Sequence, residues 1–404
     1  MADIHSIHAD AKGDLTRGIV IGLVSFLTLV DLFAAQAILP SLAAMYDVTP
    51  GEIGAAINAS TFGMAVSGLG VALVARKLDR RMGIWLSLAL LAIPTLLLAH
   101  APNLAALAAL RVVQGVFMAA AFTLTLAYLA EECTPVQAAG ALAAYVTGNV
   151  ASNLFGRLIA ATLVSETDVA TTFTVFAGLN LLGAALAFFV IRPSMRRMTS
   201  GQAPKPPLAV WKAHFATPGL PAAFLLGFLI LFVFLGVFTY VNFVLAGPPF
   251  SLKPAQLGLV YFVFAPALVT TPLAGAAGKA FGARRAIWGG LFAAAIGAAL
   301  TLSASLPAVL AGLALIGAGT FFAQAAATGF VSGRAKEDRA AAGGLYLASY
   351  YLGGLVGGFS LGIVYMQAGW TGVVVTVGAA LLIAALATFA LSPQIKKETI
   401  HAVA

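Results

Sequence analysis

Long apolar stretches separated by short polar turns dominate the chain. They fall near 18–45, 53–75, 83–99, 104–130, 138–163, 170–191, 218–245, 256–278, 286–304, 307–331, 342–366 and 370–391. Most approach the roughly 20 residues that carry an α-helix across about 30 Å of hydrocarbon. The pattern predicts an all-α integral membrane protein with twelve transmembrane helices. The longest polar stretch, 192–217, holds Arg192, Pro193, Arg196, Arg197, Pro204, Pro206 and Pro207 and divides the spans six and six. The expected organisation is a tail over 1–17, a six-helix bundle over 18–191, a linker over 192–217, a second bundle over 218–391 and a tail over 392–404.

The two halves repeat. Tyr46-Asp47-Val48-Thr49-Pro50-Gly51-Glu52-Ile53-Gly54 between spans 1 and 2 matches Phe250-Ser251-Leu252-Lys253-Pro254-Ala255-Gln256-Leu257-Gly258 between spans 7 and 8, 204 residues later. An aromatic, a proline, an acid or its amide, an aliphatic and a glycine recur at one spacing. Such a six-plus-six repeat is the signature of transporters that rock two bundles around a midplane site.

Composition agrees: 61% of residues are hydrophobic and 9% charged, against about 25% charged in soluble domains. With both termini on one side, that side collects 19 of the 22 basic residues, so the positive-inside rule predicts cytoplasmic termini. The net charge of +8 is then a topology signal and gives nucleic-acid binding no support. The polar first 17 residues lack the pattern of a cleaved signal, so span 1 is expected to stay. Cys133 is the only cysteine, which excludes an intrachain disulfide.

Three charged residues lie inside the expected spans: Asp31, Arg111 and Arg157. Each costs about 2.5–3.5 kcal/mol at bilayer depth even on the lenient insertion scale, so each needs a reason. At 1.5 Å per residue Asp31 is roughly 20 Å from the cytoplasmic end of span 1, and Arg111 roughly 10 Å from the opposite face, so the two depths agree. Arg157 is roughly 25 Å into span 5, near the outer face. It is placed to bind an anionic substrate, to close an outer gate with Asp31, Glu166 or Asp168, or to snorkel to the interface. Gln36, Asn58, Gln114, Asn149, Asn153, Asn180, Tyr240, Asn242, Gln324, Tyr346 and Tyr350 are candidates to line a cavity, with Phe33, Phe62, Phe117, Phe238 and Phe264 as apolar walls. A mostly apolar cavity suits a hydrophobic or amphipathic solute.

Several motifs carry a family resemblance. Ala75-Arg76-Lys77-Leu78-Asp79-Arg80-Arg81-Met82-Gly83 and the segment from Gly275 to Arg285 resemble the loop motif of the major facilitator superfamily. The first copy keeps Asp79 and Arg80, and the second keeps Gly275, Gly282, Arg284 and Arg285 but has Lys279 for the aspartate. Leu107-x-x-x-Arg111-x-x-Gln114-Gly115-x-x-x-Ala119-Ala120 is similar to the span 4 motif of its proton-coupled antiporters, with Phe117 at a position that is usually small. The Asp31–Pro40 segment looks like the span 1 signature of its exporters. Gly148-Asn149 with Gly156-Arg157, and the glycine-rich segment from Gly344 to Trp370, are similar to the acriflavine-sensitivity (YnfM-like) branch.

The resemblance implies a twelve-helix fold of two pseudo-symmetric bundles, and a bacterial inner-membrane transporter that works as a monomer. It implies that Asp79, Arg80, Arg284 and Arg285 latch the two bundles. It also makes spans 1 and 4 neighbours, so that Asp31 and Arg111 are open to an ion pair. Such a pair either couples proton affinity to conformation or only locks helix packing. The expected function is proton-driven export of a small hydrophobic or amphipathic solute by alternating access, with import or facilitated passage of an organic, even anionic, metabolite as the alternative. No cofactor or metal is expected. A Gly-x-x-x-x-Gly-Lys loop is absent, so the proton gradient and not ATP is the expected driving force. Copper import would need soft ligands that the spans lack. A sensor or assembly factor would carry a larger soluble part, and no catalytic set falls within the spans.

Overall fold

The computed structural model describes residues 2–74, 79–132, 135–191, 207–335 and 339–391, and among these every regular element is helical. The first half comprises α1 (Ala2–Ala37), α2 (Leu39–Tyr46), α3 (Pro50–Val74), α4 (Arg80–Leu98), α5 (Leu104–Glu132), α6 (Pro135–Glu166) and α7 (Val169–Val190). After α8 (Pro207–Ala216) the second half comprises α9 (Leu220–Ala246), α10 (Pro254–Val260), α11 (Ala265–Phe281), α12 (Ala283–Leu300), α13 (Leu306–Arg334) and α14 (Arg339–Ala387). Eight helical stretches among the described residues are long and apolar enough to cross a membrane. The last of them, Ala341–Ala390, runs through two expected spans. It bends at Gly369, whose φ of 62° and ψ of −161° suit a residue without a Cβ.

Local chemistry explains where the helices depart from the expected spans. Span 1 breaks at Ile38, because Pro40 has no N–H for the carbonyl of Gln36 and disfavours helix at the residue before it. Span 8 breaks too: Tyr261–Phe264 is a 3₁₀ turn between α10 and α11, next to Pro266. Helix α1 continues through the expected tail to Ala2, with no proline to stop it. The end of the expected linker is helix α8, begun by Pro207. The rest of the linker, 192–206, the first-copy loop positions 75–78 and the tail 392–404 lie outside the described residues.

The repeated turns are helix starts. Asp47 and Ser251 take positive φ at 52° and 50°. Pro50 and Pro254 then open α3 and α10. Glu52 accepts from Thr49 N at 2.9 Å, and Gln256 from Lys253 N at 2.9 Å, so acid and amide serve one geometry. The paired glycines face across the halves. A Cβ on Gly54 of α3 would stand 2.5 Å from the Tyr240 hydroxyl of α9, and one on Gly258 of α10 would stand 2.7 Å from Ala161 of α6. Each half therefore offers a bare stretch of backbone to the other.

Candidate translocation site

Asp31 and Arg111 are both buried, inside the first half. The Asp31 Oδ2 accepts from Asn180 Nδ2 at 2.7 Å and from Thr95 Oγ1 at 3.1 Å, while Oδ1 has no partner among the described residues. The guanidinium does not take the carboxylate. Arg111 Nη1 donates to the main-chain oxygen of Asp31 at 3.2 Å and to Gln114 Oε1 at 2.7 Å, and Nη2 to Leu32 O at 3.3 Å and Ser60 Oγ at 3.1 Å. Its Nε donates to Ile57 O at 3.0 Å. The open ion pair is thus replaced by a relay, in which Gln114 Nε2 donates to Thr95 Oγ1 at 2.7 Å and Thr95 faces Asp31. Physically, a planar five-donor fork matches several carbonyls of α1 and α3 better than one carboxylate.

Thr95 is a branch point. Its Oγ1 lies 3.1 Å from Asp31 Oδ2 and 2.8 Å from Leu91 O, yet it has one proton to give. That proton can satisfy only one of the two oxygens at a time. Neither Thr95 nor Ser60 stood out in the sequence, because a lone hydroxyl in an apolar helix usually bonds its own backbone.

A second network joins the halves. Gln36 Nε2 donates to Asn58 Oδ1 at 3.1 Å, and Asn58 Nδ2 donates to Thr239 Oγ1 at 3.0 Å across the interface. Asn242 Nδ2 donates to Gln36 O at 3.0 Å, the carbonyl that Pro40 leaves free. Tyr261 OH donates to Asn242 Oδ1, and Tyr240 OH to Gly358 O at 2.5 Å. Asn58 itself packs on Gly358.

Arg157 sits in the middle of this interface. It is fully buried, which excludes snorkelling, and Nη2 donates to Gln36 Oε1. The guanidinium carbon lies 5.4 Å from the Phe33 ring centre, 5.8 Å from Phe234, 5.2 Å from Phe238, 4.6 Å from Tyr261 and 5.0 Å from Phe264. Four of these rings belong to the second half. The three acids considered as gate partners are engaged or placed elsewhere. Asp31 is bound within the first bundle, Glu166 is exposed, and the exposed Asp168 caps α7 through Thr171 N at 2.6 Å. These bonds to Thr171 hold the Asp168 carboxyl below its ordinary range.

The other candidates divide. Gln36, Asn58, Gln114, Tyr240 and Asn242 belong to the two networks. Asn153 is buried with Nδ2 3.3 Å from Asn149 O, and the side-chain oxygens of both have no partner among the described residues. Tyr346 stacks on Tyr350 at 6.3 Å, and Tyr350 meets Tyr351 edge-on at 5.6 Å. Asn180 joins Asp31, whereas Gln324 is half-buried. Phe33, Phe238 and Phe264 stand around Arg157, but Phe62 is exposed and Phe117 half-buried. In the expected latch, the Asp79 carboxylate accepts from Met82 N at 2.7 Å as the cap of α4. Arg80 is half-buried and has a partner. Arg284 lies 4.0 Å over the Phe389 ring, and Arg285 is exposed.

The contacts between halves described here cluster around residues 36–58, 157–161, 239–264 and 358–366. Toward the opposite end, buried Gly68 and half-buried Gly343 have open space where a Cβ would stand. The contacts between the halves named here therefore gather at the end that carries the repeated turns.

Comparison with known proteins agrees with this architecture. The sequence model of the Major Facilitator Superfamily matches residues 21–265 and 244–402. The "Uncharacterized MFS-type transporter YybF" of Bacillus subtilis is 28% identical over 360 residues, covering 89% of both chains. The "Inner membrane transport protein YnfM" of Escherichia coli is 28% identical over 360 residues, covering 88% of this chain and 85% of the relative. Among solved structures, an inward-facing, unoccupied bacterial homologue of the human lysosomal transporter Spinster superposes with a TM-score of 0.73 at 15% identity, covering 94% and 97% of the two chains. The nucleoside transporter NupG (D323A mutant) gives 0.73 at 15%, covering 93% and 99%.

Proposed function

We infer the finer function from one premise: this chain belongs to the major facilitator superfamily, and is a multi-pass membrane transporter and not an enzyme. We propose that it exports a small hydrophobic or amphipathic solute in exchange for protons. Both termini face the cytoplasm on this reading, and the end that carries the repeated turns is the outer one. Asp31 is the proton carrier.

One observation carries the reading. Asp31 is the only buried carboxylate among the described residues, and its relay ends on the guanidinium that holds the backbone of α1 and α3. Those helices also carry Gln36 and Asn58, which grip the second half. Asp31 is five residues from Gln36, and Ile57, whose carbonyl Arg111 holds, adjoins Asn58. A proton arriving at Asp31 releases the Thr95 hydroxyl and weakens the pull on Gln114 and Arg111. The helices at the outer end then move with less constraint. Proton binding and gate opening share one set of atoms, as coupled transport requires.

The test is proton movement in everted vesicles or proteoliposomes, followed with a pH-sensitive dye against cationic, neutral and anionic solutes. Wild type is expected to move protons with at least one class, and Asp31→Asn with none. Undiminished proton movement in Asp31→Asn removes the carrier role.

A further inference from the structure

Arg157 is a buried cation for which the described chain supplies no counter-charge. Among the described residues its Nε and Nη1 meet no hydrogen-bond acceptor, and its one bond goes to a neutral amide. Each surrounding aromatic face returns about 0.5–2 kcal/mol, but the rings supply neither a formal counter-charge nor in-plane acceptors for the two idle N–H donors. A static packing role would be served better by an apolar side chain. The arrangement makes sense if the missing partner arrives with the cargo.

We propose that Arg157 and its aromatic ring set form the subsite for a carboxylate-bearing solute with a flat, apolar body, which deepens the transport reading above and rests on it. The geometry gives the ligand a way to act. Each edge of a guanidinium pairs Nη2 with one of the two donors that stand free here, Nε or Nη1. A carboxylate that displaces the Gln36 amide oxygen therefore gains a two-point, charge-assisted contact. Gln36 is also the residue that holds Asn58, which in turn holds Thr239 of the other half. Binding of the anion takes Arg157 from the link between the bundles, so cargo and closure compete for one group. Phe33, Phe238, Tyr261 and Phe264, which surround the guanidinium, give the flat body of the solute aromatic surface to lie against. A neutral isostere has the body but not the charge, and inorganic anions have the charge but not the body.

The experiment is equilibrium binding to the full-length protein in nanodiscs, with benzoate, naphthoate and indole acetate compared with their carboxamides. At least one carboxylate is expected to bind about 10–100-fold more tightly than its amide. This comparison uses the wild-type chain and needs no variant to fold. Arg157→Gln is expected to erase the preference, and Arg157→Lys to keep part of it. The preference is read at equilibrium without a proton gradient, so a wild-type chain that keeps it but moves no protons loses the coupled-export reading and retains this subsite. Equal binding of acid and amide, no binding of any carboxylate, or an intact preference in Arg157→Gln would each overturn the assignment.

Discussion

The two halves share a plan but stabilise it differently. Helices α5 and α13 are equivalent by the 204-residue repeat, and Gly115 of one corresponds to Gly319 of the other. Both glycines let a neighbouring backbone come close. A Cβ at Gly115 would stand 1.8 Å from Ser60 O of α3, whereas one at Gly319 would stand 2.3 Å from Gly290 O of α12. One turn earlier the halves part company: Arg111 in the first, Leu315 in the second. The first bundle binds α5 to α1 and α3 through a buried polar relay. The second packs Phe234, Phe238, Phe264 and Phe321 with centres 4.6–6.2 Å apart. The equivalent glycines also meet non-equivalent neighbours, since the repeat maps α3 onto α10–α11 and α4 onto α12, so one copy builds a polar relay and the other an apolar wall on the same sequence frame.

The contrast is broken most severely by giving the first half the residue of the second. Arg111→Leu leaves Gln114, Ser60 and the carbonyls of Asp31, Leu32 and Ile57 without their donor. It is expected to cost about 3–5 kcal/mol, read as a lowered thermal midpoint in detergent. Leu315→Met in the second half should cost less than about 1.5 kcal/mol. A smaller effect compares two buried threonines. Thr95→Val removes the centre of the relay and should cost about 1–3 kcal/mol. Thr271→Val removes a hydroxyl with no partner among the described residues and should be neutral or stabilising in the same unfolding assay.

The smallest effect lies at the repeated turns. The Thr49 backbone N–H, and then its hydroxyl, hold the Glu52 carboxyl below its ordinary range. A lowered folded-state pKa gives stability that is present above the ordinary carboxylate value and lost as pH falls through the folded one. The wild-type thermal midpoint should therefore carry a small acid-sensitive component between about pH 6 and pH 3. Glu52→Gln, which copies Gln256, should remove it.

The all-helical membrane fold and the family were legible because apolar length and turn chemistry are local properties. Asp31, Arg111 and Arg157 stood out because a charge in an apolar span is conspicuous. What the charges touch was not legible. Depth along two helices fixes height but not azimuth, so Asp31 and Arg111 at one level looked like partners, although the carboxylate faces Thr95 and Asn180. The acids near Arg157 in sequence were likewise misleading, since the rings around it come from α1, α9 and the 3₁₀ turn before α11. Phe33, Phe238 and Phe264 were recognisable as wall residues, but their convergence on one guanidinium depends on how the two bundles meet.

Pro40 gives that meeting an unusual kind of robustness. The bond from Asn242 to Gln36 ends on a main-chain oxygen, which every amino acid at position 36 would provide. Mutational drift at that site can change the side-chain contacts but cannot erase the acceptor. What exposes it is an imino acid four positions away, through the hydrogen bond it is unable to make. The docking point of one bundle on the other is thus encoded as a gap in a helix, and the vulnerable codon is that of the proline four residues on.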